Sequence, residues 1–97
     1  MEGKASGRAS FGELFRQLRL RRGETLRSFC ISHGFDPGNI SKLERGKLTP
    51  PQAEKLAEYA KALGLEEGTD EWYEFYDQAA IARRELPRDL TEQELLD

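Results

Sequence analysis

The chain has 97 residues, 37% of them hydrophobic and 34% charged, with a net charge of −3; this length leaves room for one domain with a single small core. No apolar run approaches the roughly 18 residues of a membrane span, and the first ten residues, with Lys4 and Arg8, lead into no apolar stretch of the kind a secretory signal needs. The single Cys30 rules out an internal disulfide, and one histidine without a metal-ligand cluster or Gly-rich phosphate loop argues against an enzyme and against any cofactor or metal.

Residues 1–9 are small, polar and glycine-containing and read as a flexible N-terminal arm. Ser10 caps a first helix from Phe11 to about Arg22, with Glu13 completing a Ser-x-x-Glu capping box. Phe11, Leu14, Phe15 and Leu18 form one apolar stripe at helical spacing, which is core. Arg16, Arg19, Arg21 and Arg22 crowd the end of this helix, where the macrodipole favours cations, so part of that cluster is explained without nucleic acid.

Gly23 to Pro51 reads as two short helices joined by a tight turn. Thr25 caps the first, Gly34 suits the left-handed residue that ends it, and Asp36-Pro37 opens the second, which runs to about Arg45 and stops at Gly46. This is the punctuation of a DNA-binding helix-turn-helix, which a plain helical hairpin shares. Leu26, Phe29 and Cys30 face inward, leaving Arg27 and Ser28 outside. In the next helix Ile40 and Leu43 point inward with Glu44 beside them. Gly38, Ser41, Lys42 and Arg45 then occupy the opposite face and Asn39 lies between, a set of donors for base edges and phosphates that also suits ordinary solvated surface.

A fourth helix is expected after Thr49, with Pro50 at its first position and Gln52 completing Thr-x-x-Gln. Ala53, Leu56, Ala57, Ala60 and Leu63 make its buried stripe, Lys55 and Tyr59 belong to its outer face, and Gly64 ends it. A link, Leu65 to Gly68, leads to a fifth helix capped by Thr69, whose Trp72, Phe75, Tyr76, Ala79 and Ala80 form a wide apolar stripe with Tyr73 beside it. That is ample aromatic area for one small core, so the stripe either packs back on the domain or meets a second copy or another protein. Arg83 and Arg84 end the helix before Leu86-Pro87. Thr91-Glu92-Gln93-Glu94 then opens a further short helix carrying Leu95 and Leu96, a second candidate docking element.

The net charge conceals an asymmetry. Residues 1–50 carry ten Lys/Arg against five Asp/Glu, or +5, and residues 51–97 carry five against thirteen, or −8. Only the first half is suited to face a polyanion, unless both halves are simply mixed-charge surface.

From Phe15 to about Leu63 the sequence resembles the phage repressor and Cro family of helix-turn-helix domains, the XRE family. The matching elements are Leu18-Arg19, the Phe29-Cys30 pair, Gly34, the run Ile40-Ser41-Lys42-Leu43-Glu44-Arg45-Gly46, Pro50, and an amphipathic helix ending in Ala62-Leu63-Gly64. The resemblance implies a lambda-repressor-like, five-helix all-α fold with a short C-terminal extension. It implies an arm over 1–9, a DNA-binding domain over 10–64, and over 65–97 a helix and acidic tail for dimerisation or partner binding through Trp72, Tyr73, Phe75, Tyr76, Leu95 and Leu96. Arg19 and Glu44 match positions that form an internal salt bridge; Gly38 and Lys42 match base-contacting positions, and Asn39 and Lys47 backbone-contacting ones. With Arg27, Ser41 and Arg45 these make up the expected DNA-binding set.

Two departures matter. Leu26 stands where the family often has a phosphate-anchoring Gln, and Pro37-Gly38 open the recognition helix without side-chain donors. The implied function is a sequence-specific, dimeric, autoregulatory repressor on double-stranded DNA in a bacterial or phage cytoplasm. The second half also resembles HigA-like antitoxins, through Asp36-Pro37, the aromatic helix and Leu86-Pro87-Arg88-Asp89-Leu90. That likeness keeps open a protein-interaction module that neutralises a basic toxin and binds DNA weakly or not at all.

Overall fold

The computed structural model describes residues 10–85, and these form five helices: α1 Phe11–Arg21, α2 Leu26–His33, α3 Pro37–Glu44, α4 Ala53–Ala62 and α5 Asp70–Glu85. The arm over 1–9 and the segment with Leu95 and Leu96 lie outside the described residues. Local chemistry sets most of the boundaries. The Ser10 hydroxyl accepts the Glu13 amide, Thr25 accepts that of Ser28, Asp36 that of Asn39, and Thr69 that of Trp72. Each is a side-chain acceptor for an amide that has no carbonyl partner in its own first turn. Gly34 ends α2 at φ +73°, a left-handed conformation in which a Cβ would be strained.

The core is built around Phe15. Its ring meets Phe11 of the same helix, Phe29 of α2, Tyr59 of α4 and Phe75 of α5, at centroid distances of 5.4 to 6.3 Å. Edge-on and tilted geometries of this kind add about 0.5–1.5 kcal/mol per pair beyond the area buried. Ile40 and Leu43 of α3 and Leu18, Leu56 and Leu63 complete the buried cluster. The α1 helix packs against both α3 and α5, α2 against α3, and α4 against α5. Helix α1 therefore sits between the helix-turn-helix pair and the last helix.

Two expectations for α4 are corrected. The helix begins at Ala53, not Pro50, and its N-cap is Gln52, whose side chain makes no capping bond. Pro51 disfavours the helical conformation at Pro50, and Gln52 is itself extended, at φ −115° and ψ 169°, so the helix starts only after it. Tyr59, assigned to the outer face, is instead 7% exposed and packs edge-on against Phe15 and Phe35, while Ala57, assigned to the buried stripe, is exposed. Ala62 is buried alongside Ala60 and Leu63.

The aromatic stripe of α5 divides. Phe75 and Ala79 are wholly buried in the common core, so Phe75 presents nothing to a partner. Trp72 and Tyr76 pack on the edge of that core, and Tyr73 remains 55% exposed. Near its other end, Arg83 donates to the Pro51 carbonyl at 3.0 Å, tying α5 to the loop that leads into α4.

Candidate nucleic-acid interface

The α2–α3 pair is shaped by its ends. Asp36 caps α3 through its Oδ2, 2.9 Å from the Asn39 amide, and Pro37 follows as the first helical residue, where its missing N–H costs no hydrogen bond. At the far end the Gly46 amide donates to the Leu43 carbonyl and the Lys47 amide to that of Lys42, with Gly46 at φ +76°. This Schellman turn satisfies the final carbonyls of α3 and directs the chain outward at Lys47.

Between those ends Ile40 and Leu43 are buried, while Gly38, Asn39, Lys42 and Arg45 are exposed and Ser41 is half-buried. Arg27 on α2 and Lys47 after α3 are exposed as well. Among the described residues Arg27, Lys42, Arg45 and Lys47 take part in no ion pair. The Arg45 guanidinium lies back along its own helix, its Nε donating to the Ser41 carbonyl at 3.3 Å. Gly38 faces open space apart from the Asp36 carboxylate. The first turn of α3 thus presents backbone, one amide side chain at Asn39 and the Asp36 charge, whereas the cations sit on its middle, its C-terminal end and the neighbouring α2.

Two of the arginines toward the end of α1, Arg19 and Arg21, are occupied elsewhere. Arg19 forms a two-pronged ion pair with Glu44, Nε to Oε2 at 2.7 Å and Nη2 to Oε1 at 2.8 Å, with both side chains 7% exposed. Its remaining Nη1 donates to the Glu24 carbonyl at 3.0 Å. The hydrogen bond to Glu44 raises the Arg19 pKa further above its ordinary value, against the opposing effect of burial. Arg21 makes a similar but exposed pair with Glu71 of α5, at 2.6 and 2.9 Å, which holds the Glu71 carboxyl below its usual range. Arg22 lies over the end of α4, where a Cβ on Gly64 would strike its guanidinium. The basic half therefore includes arginines that tie α1 to α3 and α5, Arg22 lying over the end of α4, and a separate set of four cations left at the α2–α3 surface.

The most consequential residue missed by periodicity is Gly12. It is buried in α1 against the last turn of α3, and a Cβ there would lie 2.5 Å from the Glu44 carbonyl oxygen and 2.6 Å from that of Leu43. The available signal was a glycine in the first turn of a strongly amphipathic helix, where Ala is preferred unless another backbone comes close. Among the described residues no group of three His, Cys, Asp or Glu is placed to hold a metal, and no helix is long and apolar enough to cross a membrane. His33 stacks loosely on Phe35, with centroids 5.9 Å apart. Cys30 is buried, and that burial pushes its thiol pKa up, away from the reactive thiolate.

No curated protein and no solved structure matches the chain at a significant level. The family model described as a helix-turn-helix domain matches residues 10–72, from the Ser10 cap of α1 into the first turn of α5. With α2 and α3 forming the helical pair and a cationic surface about them, the chain belongs to the helix-turn-helix domain family, the scaffold of DNA-binding regulators.

Proposed function

We propose that the protein is a sequence-specific transcriptional repressor that binds duplex DNA as a dimer and controls its own operon. The observation that carries this reading is the outer surface of α2 and α3: Arg27, Asn39, Lys42, Arg45 and Lys47 are exposed together, with no acidic side chain paired to them among the described residues. In this reading α3 enters the major groove. Lys42 and Asn39 reach base edges, Arg27, Arg45 and Lys47 contact phosphates, and two protomers meet half-sites about 34 Å apart. The donor-free Pro37-Gly38 turn leaves the duplex backbone room to approach and shifts discrimination to Asn39, Ser41, Lys42 and DNA shape.

A second reading, an antitoxin-like module that holds a basic protein partner, is favoured by a different surface. Trp72 and Tyr76 line an open groove with Ala57, Lys61, Leu65 and Glu67, next to exposed Tyr73, in the half of the chain that carries −8. The two readings are compatible in one molecule and differ in which surface is essential. Competition between a duplex selected from a random pool and unselected duplex tests the first. Lys42→Ala is expected to cost about 1–3 kcal/mol on the selected duplex and much less on the random one. Equal losses on both would reduce Lys42 to a phosphate contact.

A further inference from the structure

We infer that Gly12 is a positioning residue for DNA recognition: by lacking a side chain it sets how closely α1 seats the end of α3, and so the angle at which α3 meets a duplex. This rests on the DNA-binding reading above. The atoms that a Cβ on Gly12 would meet are the Leu43 and Glu44 carbonyl oxygens and, at 2.8 Å, the Glu44 carbonyl carbon. All are main chain, so no rotamer change relieves the clash. Even a tight Cβ contact of 3.0 Å requires the backbones to part by 3.0 − 2.5 = 0.5 Å, and an ordinary one of 3.4 Å by 3.4 − 2.5 = 0.9 Å.

Seven residues further along α1, about 10 Å away, Arg19 grips the carboxylate of the same Glu44 at 2.7 and 2.8 Å. Helix α1 therefore holds the last residue of α3 twice. The Gly12 contact fixes how near the α3 backbone sits, and the ion pair opposes its withdrawal. Helix α3 has eight residues, about 12 Å of length. Held at its C-terminal end, it converts a shift of 0.5 Å or more at Glu44 into a tilt that displaces Lys42 and, further out, Asn39. Recognition geometry tolerates about 0.5 Å of error. Gly12 is itself buried and has no side chain to offer a duplex, so it acts through the seating of α3.

The test compares Gly12→Ala with Ala79→Gly, a change in the wholly buried part of α5, which packs on α1 and α4. Both are assayed below their unfolding transitions, with trimethylamine N-oxide added to any variant that is not fully folded in buffer. Gly12→Ala is expected to lose at least tenfold affinity for a duplex selected with the wild-type chain and less than threefold for random duplex, with the Asn39 and Lys42 amide resonances shifted. Ala79→Gly is expected to lose stability while retaining the wild-type affinity ratio and α3 resonances. If Gly12→Ala preserves that ratio and leaves α3 resonances in place, the positioning role is overturned. If the wild-type chain selects no duplex, the DNA-binding reading fails on its own, and the resonances still decide whether Gly12 seats α3.

Discussion

Arg19 belongs to the basic half of the chain, yet it points inward, with its side-chain hydrogen bonds going to Glu44 and Glu24. Removing it leaves a carboxylate that is 7% exposed without a counterion. Arg19→Ala is therefore expected to destabilise the domain by about 3–5 kcal/mol, a large share of the 5–15 kcal/mol typical of a whole domain. Arg19→Lys should recover only part of that, because an ammonium cannot reproduce the forked contact. Urea unfolding measures both, and an unchanged midpoint for Arg19→Ala would contradict the pairing's structural role. Residues of this kind are unevenly legible in sequence. The Arg19–Glu44 pair was accessible through family resemblance, since nothing in charge spacing links positions 25 apart. Arg21 and Glu71, 50 apart, carried no such signal, and Gly12 escaped because hydrophobic periodicity weighs side chains and a glycine has none.

At the level of elements, caps were the most readable feature: Ser10, Thr25, Asp36 and Thr69 each accept the amide three residues on. The fourth helix was harder because two local signals competed. The Thr-x-x-Gln pattern favoured a start at Pro50, and the Pro50-Pro51 dipeptide prevented it. Its inward face was also misjudged, since Tyr59 tolerates either environment by type and only the surrounding Phe15 and Phe35 rings make a buried position favourable.

That burial has a measurable consequence in alkaline solution. Desolvation raises the Tyr59 pKa above its ordinary value, and the same cause raises that of Cys30. An acid that holds its proton more tightly when folded contributes stability that is complete below its unfolded pKa and is lost as pH rises through the folded one. The window therefore opens near pH 9 for Cys30 and near pH 10 for Tyr59. Thermal unfolding midpoints should fall across this range, and Tyr59→Phe should flatten the part above about pH 10. Parallel wild-type and variant curves would refute that assignment.

For the molecule as a whole, the five-helix order and the helix-turn-helix were legible from punctuation and pattern, and the matched family model spans α1 to α4 with the helix-turn-helix and reaches the first turn of α5. The charge asymmetry was legible only as a sum. Among the described residues, the cations behind the +5 of residues 1–50 include two populations with different surroundings. Arg19, Arg21 and Arg22 meet Glu44, Glu71 and the end of α4, whereas Arg27, Lys42, Arg45 and Lys47 remain on the α2–α3 surface. Their separation depends on tertiary partners that no local window contains. It also makes DNA affinity calculable in outline, because the second population supplies the unpaired cations around the α2–α3 pair that can displace counterions.

Fluorescence anisotropy of a labelled duplex across a salt series tests this most directly. If about four cations per protomer replace condensed counterions, the logarithm of the association constant should fall against that of salt concentration with a slope of about −3 to −4 per bound protomer. A slope near zero would contradict the assignment of the α2–α3 surface to DNA and leave the aromatic edge of α5 as the surface that matters.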